Sequence, residues 1–210
     1  MIAPLTRSEA GRLLGVSRET LERLQTYLDL LVRWQARINL VGPSTLADPW
    51  RRHILDCGQL WHHWPEGAVT LVDLGSGAGL PGLVLAIVGR RRVHLVESDL
   101  RKAAFLREAA RTCGVEATVH AMRSEQVQPL GADVVTARAM APLPRLLHLA
   151  ERHVQPRTTC MFLKGRNVES ELTRCRRVWT MQVAMAASLS DAEGRVLILS
   201  EIARAASRSA

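Results

Sequence analysis

Glycines crowd one short segment of the chain, Asp73-Leu74-Gly75-Ser76-Gly77-Ala78-Gly79-Leu80-Pro81-Gly82. Glycine lacks a Cβ atom, so the backbone of such a segment can turn sharply and approach a ligand closely. A helix can start at Leu80-Pro81, because proline is tolerated in a first turn, and the free amides there can receive a carboxylate or a phosphate. The segment predicts a cofactor loop of the nucleotide type, and a tight turn without a ligand is the alternative.

Glu97 ends the next apolar run, residues 93–96. An acidic side chain at this place can accept hydrogen bonds from both hydroxyls of an adenosine ribose. Adenosine occurs in S-adenosylmethionine and in nicotinamide dinucleotides alike. Residues 77–82 also satisfy the G-x-G-x-x-G pattern of dinucleotide sites, so these residues alone leave both cofactors open.

Short apolar, β-branched runs alternate with helical patterns from residue 66 onward. The predicted strands are 69–72, 93–96, 117–120, 133–136 and 158–163, and the predicted helices are 83–88, 100–112, 144–153 and 168–176. This alternation predicts an α/β fold with a mostly parallel, Rossmann-like sheet that is covered on both faces. Two final runs, 178–185 and 195–202, flank turn residues and predict a C-terminal antiparallel hairpin.

The first 65 residues have a different pattern, without alternating strands. Within residues 17–40 an amphipathic stripe places leucines and a tryptophan three and four residues apart, and Ser17 is a suitable helix N-cap. We therefore predict an N-terminal helical extension over 1–65 and an α/β domain over 66–210.

The composition indicates a basic protein with a hydrophobic core. The formal net charge is +8, and 26 of the 28 basic residues are arginine. A polyanionic partner is one interpretation of this charge, and a compositional bias toward arginine is the other. The four cysteines form no Cys-x-x-Cys pair, which favours reduced thiols. With no apolar run long enough for a membrane span or a signal peptide, we expect a cytoplasmic protein that does not enter a membrane.

An ordered set of motifs resembles the small-subunit ribosomal RNA guanine-N7 methyltransferases, the RsmG or GidB family. The glycine loop resembles the cofactor signature of that family along its whole length. The other matching segments are Ile38-Asn39-Leu40, Arg52-His53-Ile54-Leu55-Asp56, Leu95-Val96-Glu97-Ser98, Arg101-Lys102, Phe105-Leu106, Arg138-Ala139-Met140-Ala141 and Leu163-Lys164-Gly165. They cover residues from about 24 to 200. The family pattern usually reads Asp-Ser where this chain has Asp56-Cys57, a difference that we interpret as one of packing.

This resemblance implies a fold and an activity. The fold is that of class I S-adenosylmethionine-dependent methyltransferases. The activity is transfer of the methyl group of S-adenosyl-L-methionine to N7 of a guanine in 16S rRNA, the one at rRNA position 527, in the small ribosomal subunit. The implied partner is therefore 16S rRNA or the small subunit. We expect a monomer and no metal.

The resemblance also implies which residues bind the cofactor. Gly75, Gly77 and Leu80 would line its methionine end and its adenosine. Glu97 would bind the ribose hydroxyls. Ser124 and Glu125, in the loop after the third strand, would lie beside adenine. Arg138 resembles the arginine with which the family contacts the cofactor, and a surface arginine at a strand end is the alternative.

Three residues are expected to position the reactants: Arg138, Lys164 and His53. N7 of guanine is a hydrogen-bond acceptor without a proton, so no general base is needed and catalysis should rest on orientation. Lys164 is one of only two lysines in an arginine-rich chain and ends a predicted strand, which favours contact with the target base or an adjacent phosphate. His53, with Asp56 three residues later, could bring an imidazole toward the cofactor.

Other classes of protein remain open from the residues alone. They are a methyltransferase of another RNA, a small molecule or a protein, a nicotinamide-dependent oxidoreductase, and an RNA-binding module without catalytic activity. The segment Trp61-His62-His63-Trp64 could suggest a metal or stacking site. Adjacent histidines on a helix project in different directions, however, so we predict that the tryptophans anchor the N-terminal helices in the core.

Overall fold

A computed structural model describes residues 3–89 and 91–205 of the chain. The α-helices are α1 (Arg7–Leu14), α2 (Arg18–Gln35), α3 (Asp56–Gly58), α4 (Gly82–Gly89), α5 (Leu100–Thr112), α6 (Leu143–Ala150) and α7 (Val168–Cys175). The strands are β1 (Thr70–Leu74), β2 (Arg92–Val96), β3 (Ala117–His120), β4 (Val134–Arg138), β5 (Thr159–Lys164), β6 (Trp179–Ala187) and β7 (Arg195–Arg204).

The seven strands form one sheet in the order β3-β2-β1-β4-β5-β7-β6. Strands β1 to β5 are parallel, and β7 pairs antiparallel with both β5 and β6. This confirms the predicted fold class, a mostly parallel sheet that ends in an antiparallel hairpin. From β1 the chain adds β2 and β3 on one side and then β4 and β5 on the other. The gap between β1 and β4 is therefore the switch point at which open α/β sheets bind their ligands.

The two faces of the sheet carry different helices. One core contains leucines of α2 together with apolar residues of α4 and α5, and Tyr27 and Trp34 pack there against Phe105. The other core is formed by α6 and α7. The N-terminal helices thus share a hydrophobic core with the sheet, and the division of the chain between residues 65 and 66 stays a prediction. Among the described helices none is long and apolar enough to cross a membrane.

Helix α2 starts as predicted but ends earlier. Ser17 caps it, since its hydroxyl accepts a hydrogen bond from the Thr20 amide. Gln35 ends it: its side-chain oxygen accepts from the amides of Leu40 and Val41, and its nitrogen donates to the Val41 carbonyl. These bonds satisfy the backbone groups of Leu40 and Val41, which would otherwise need partners in a continued helix.

A chain of short helical turns then leads to the sheet. It runs through a 3-10 helix over Pro43–Ala47, a π-helix over Trp50–Leu55, α3, and a 3-10 helix over Gln59–His63. The π-helix is a rare element that often occurs at functional sites. Here it carries Arg52 and His53, and α3 begins directly after it. The rings of Trp61 and Trp64 lie 5.1 Å apart and pack against the core.

Candidate active site

The glycine loop lies where β1 ends, next to the loop that follows β4. Gly75 has a φ of +63°, a left-handed conformation that costs glycine little. A Cβ atom added there would lie 2.7 Å from Cγ of Met140. The backbone of the first loop and the side chain of the second are therefore in close contact, which only glycine at this position permits.

Glu97 is bound to the glycine loop. Its Oε2 accepts a hydrogen bond of 2.8 Å from the Gly77 amide, and its Oε1 accepts one of 2.8 Å from the Asp99 amide. Each carboxylate oxygen keeps a second lone pair that can accept from a hydroxyl. The structure thus holds a carboxylate with free acceptor capacity against a glycine loop, and this donor and acceptor set fits an adenosine cofactor.

Tyr27 supports the same loop from the N-terminal helices. Its hydroxyl is buried and donates a hydrogen bond of 2.8 Å to the carbonyl of Ala78. Below the loop, the buried carboxylate of Asp73 accepts a bond of 2.8 Å from the Thr136 hydroxyl. Burial raises the pKa of Asp73 to about 6. These contacts hold the loop from both sides.

Ser124 and Glu125 lie in a 3-10 turn after β3, at the same edge of the sheet. Ser124 is buried and Glu125 is exposed. Arg152 donates hydrogen bonds from its Nη1 to the backbone carbonyls of both residues. Leu80 is buried in the turn before α4. All the predicted cofactor residues therefore belong to the carboxyl edge of the parallel strands or to the loops that begin there.

A cavity of about 480 Å³ opens beside this loop system, past the ends of β4 and β5. Arg138 forms one wall. Its Nε lies 3.2 Å from Oδ2 of Asp56, its Nη2 donates to the Arg52 carbonyl at 2.9 Å, and its Nη1 donates to Sγ of Cys57 at 3.4 Å. All three partners belong to the π-helix and α3, so Arg138 joins the N-terminal extension to the sheet.

Lys164 forms the opposite wall together with Glu171. The two side chains are mostly buried, and Nζ lies 2.7 Å from Oε2 of Glu171. Nζ also donates to the Ala141 carbonyl at 3.4 Å, and the same Glu171 oxygen accepts from the Leu143 amide at 2.6 Å. One carboxylate thus ties together β5, α7 and the start of α6.

The turn between β6 and β7 closes the cavity on its outer side. The Ser190 hydroxyl donates to Oδ1 of Asp56 at 2.5 Å, and the Leu189 amide donates to the side-chain oxygen of Gln59 at 2.7 Å. Asp191 and Glu193 of this turn face Arg52 and Arg166, at 3.6 and 3.8 Å. The C-terminal hairpin is therefore part of the cavity.

Comparison with known proteins identifies the family. A family model for GidB, rRNA small subunit methyltransferase G, matches residues 20–198. A protein of that name from Paramagnetospirillum magneticum is 60% identical over 190 residues, covering 90% of this chain and 93% of the relative. One from Rhodospirillum centenum is 58% identical, covering 90% and 88%. The chain belongs to the GidB family.

Solved structures agree on the fold. A SAM-dependent methyltransferase from Aquifex aeolicus has a TM-score of 0.56 at 15% identity, covering 74% of this chain and 95% of that one. TYW2 of M. jannaschii, in complex with AdoMet, has a TM-score of 0.56 at 12% identity, with 81% and 80% covered. Membership of the GidB family and this fold confirm the predicted class of enzyme, a methyltransferase.

Of the three predicted positioning residues, Arg138 and Lys164 line the cavity and His53 does not. His53 is buried, and its Nε2 lies 2.9 Å from the Thr45 hydroxyl. Burial, with the nearby charges of Arg138 and Arg52, lowers the pKa of His53 to about 4. Asp56 pairs with Arg138 instead, so His53 and Asp56 do not act as one unit in this structure.

Cys57 stands where the GidB-family pattern usually has serine, and its side chain does more than fill space in the core. The thiol is buried and accepts a hydrogen bond from Arg138. Burial raises the pKa of Cys57 to about 12, so the group stays a neutral thiol. The sulfur keeps the acceptor that a serine hydroxyl would offer, in a weaker form. Cys57 therefore keeps an acceptor for Arg138 at this position.

Five residues that hold the site were not found from the sequence: Tyr27, Arg152, Glu171, Asp191 and Glu193. Lys164 lies 7 positions before Glu171, and the other partners lie between 27 and 139 positions away in the chain. No periodicity or local motif reports such contacts. Asp191 and Glu193 carried only a turn signal, and the other three stand on amphipathic or helical stretches where charge and polarity are usual.

Proposed function

We propose that this chain transfers the methyl group of S-adenosylmethionine to N7 of a guanine in 16S rRNA of the small ribosomal subunit. Membership of the GidB family over residues 20–198 carries this proposal. By the family resemblance the target is the guanine at rRNA position 527. The alternative, methylation of another RNA, a small molecule or a protein, has no feature of the cavity in its favour.

The cofactor supplies a methyl group activated by a positively charged sulfur. We propose that Gly75, Gly77 and Leu80 hold its methionine end and adenosine, and that Glu97 binds the ribose hydroxyls. Ser124 and Glu125 would bind at adenine. The amide bonds that orient Glu97 support this assignment. Arg138, at the end of β4, is proposed to contact the cofactor from the cavity side.

The atom that receives the methyl group, N7 of guanine, must be oriented but does not have to lose a proton. N7 has a free lone pair, and its hydrogen-bonding edge also carries O6. The two carboxylates at the cavity walls, Asp56 and Glu171, are each engaged in an ion pair and further hydrogen bonds. They are therefore poorly suited to be bases. Methylation moves one positive charge from the sulfur of the cofactor to the guanine ring, so the net charge of the site does not change.

Lys164 is proposed to orient the guanine or a neighbouring phosphate. Lys164→Ala should lower kcat/KM for 30S subunits by about tenfold or more, as expected when a charged hydrogen bond is lost. The other lysine gives a matched control: Lys102→Ala should leave kcat/KM within about twofold, since Lys102 does not line the cavity. Equal values for Lys164→Ala and wild type would refute this role. His53 remains a proposed positioning residue that acts through the π-helix.

The experiment that tests the function is a map of modified guanines. Mass spectrometry of 16S rRNA from cells with and without the gene should show one methylated guanine that disappears with the gene. Purified protein with labelled S-adenosylmethionine should restore it on 30S subunits. Label in ribosomal protein instead of rRNA would overturn the proposal. We further propose a cytoplasmic monomer, so light scattering should give a mass near 23.2 kDa.

A further inference from the structure

The charged side chains that line the cavity form four ion pairs. Four basic and four acidic side chains line it, although the chain as a whole carries a net charge of +8. The pairs are Arg138 with Asp56, Lys164 with Glu171, Arg52 with Asp191, and Arg166 with Glu193. The acidic side chains of the protein therefore neutralise the positive charge that a polyanion would meet in the cavity.

The four pairs differ in burial and in length. In the two inner pairs, Arg138–Asp56 and Lys164–Glu171, the side chains are between 10% and 19% exposed and the distances are 3.2 and 2.7 Å. In the two outer pairs the side chains are between 45% and 75% exposed and the distances are 3.6 and 3.8 Å. Exposed pairs contribute little free energy, so the outer pairs can separate while the inner pairs persist.

Both outer carboxylates come from the same turn, residues 188–194. Its first part is anchored, because Ser188, Leu189 and Ser190 bond to Gln59 and Asp56. Asp191 and Glu193 follow the anchored part and are exposed. The turn therefore keeps its place at the cavity mouth while its two carboxylates can exchange partners.

We propose that Arg52 and Arg166 bind phosphates of the RNA backbone at the cavity mouth, and that Asp191 and Glu193 occupy these guanidinium groups until RNA displaces them. The inference rests on the proposed function, which makes RNA the substrate. A guanidinium group donates hydrogen bonds to a carboxylate or to a phosphate with matching geometry. The exchange keeps each arginine paired, so the phosphates of an RNA strand displace the two carboxylates at little cost. An uncharged ligand would leave both arginines unpaired and therefore does not displace the carboxylates.

The test removes the two carboxylates. Asp191→Asn/Glu193→Gln should bind 16S rRNA about three- to tenfold more tightly than wild type at 0.1 M salt, because the competing groups are gone. The matched control is Glu22→Gln/Glu116→Gln. It removes the same charge from two other exposed ion pairs, with Arg18 and Arg92, which lie outside the cavity lining. Tighter binding by the control to the same degree would overturn the proposal.

A second variant tests the arginines themselves. Arg52→Gln/Arg166→Gln should weaken binding of 16S rRNA about tenfold or more. The slope of log Kd against log salt concentration should fall by the amount expected for the loss of roughly two phosphate contacts. Its fold should survive, since Arg138 contacts only the backbone carbonyl of Arg52, and melting curves check this. An unchanged affinity and salt slope in a folded variant would refute the inference.

The two proposals fail in different ways. If wild-type protein does not methylate 30S subunits, the proposed function falls. If wild type does methylate them, while Asp191→Asn/Glu193→Gln binds 16S rRNA no more tightly than its control, only the role of the turn falls. Binding is measured without turnover, so each result is assigned to one proposal.

Discussion

The Tyr27 hydroxyl connects α2 to the glycine loop. Tyr27 is fully buried, and its bond to the Ala78 carbonyl spans 51 residues of sequence. A buried carbonyl that loses its partner costs more free energy than the bond contributes on average. The position of the glycine loop therefore depends on a residue outside every cofactor motif.

Tyr27→Phe should lower the free energy of unfolding by about 1–3 kcal/mol and weaken binding of S-adenosylmethionine. Urea titration and calorimetry measure the two effects. Thr26→Val is the matched control, because it removes an exposed hydroxyl that bonds only to the carbonyl of Glu22 within the same helix. If Tyr27→Phe matched the control in both measurements, the hydroxyl would not support the loop.

At the scale of residues, the sequence indicates proximity where a backbone motif places the residues. Gly77 and Glu97 belong to a strand–loop–helix pattern, and a hydrogen bond joins them; their roles toward the cofactor stay predictions. The role of Glu171 depends on α6 and α7 meeting across the end of β5. That meeting is a tertiary event, so nothing in the residues around Glu171 distinguishes it from a solvated helix charge.

The elements follow their local patterns in most places and depart from them where side chains bond to the backbone. All seven strands lie within two residues of their predicted bounds, because β-branched runs bounded by turns are strong signals. Helix α2 ends five residues before its apolar stripe predicts, owing to the Gln35 side chain. The π-helix at Trp50–Leu55 has no sequence pattern of its own.

Helix α4 lies directly on the sheet because Gly82 has no side chain. A Cβ atom there would lie 2.6 Å from Cδ2 of Leu95 and 2.7 Å from Cβ of Asp73. Gly82→Ala should therefore lower the free energy of unfolding by about 1–3 kcal/mol through overpacking. In Gly42→Ala, the control, the nearest atom would be 3.8 Å away, so stability should hardly change. Thermal melts compare the two, and equal melting temperatures would contradict the close packing.

At the scale of the whole molecule, two buried histidines make stability depend on pH. Burial lowers the pKa of His53 and of His153 from 6.5 to about 4. Between these values the unfolded chain binds protons that the folded chain does not, so the free energy of unfolding falls as pH falls from about 6.5 to 4. Each histidine contributes a loss on the order of 3 kcal/mol across this range.

Asp73 acts in the opposite direction. Burial raises its pKa from 3.8 to about 6, so between these pH values the folded chain binds a proton that the unfolded chain does not. The free energy of unfolding that this proton contributes is lost as pH rises through 6. Two histidines outweigh one aspartate, and the net effect is a loss of stability in acid. Urea titrations between pH 7.5 and 4.5 measure it. His153→Asn should flatten the profile, and an unchanged slope would contradict the assignment.

The turn at residues 188–194 meets Asp56 and Gln59 across 129 to 134 positions of sequence. A chain leaves the ribosome from its N-terminus, and folding follows synthesis in that order. The glycine loop can therefore pack against α2 early, through Tyr27 and Ala78, whereas the charged mouth of the cavity forms only with the final hairpin. A nascent chain can build the half that contains the glycine loop first, and only a nearly finished chain can complete the cavity.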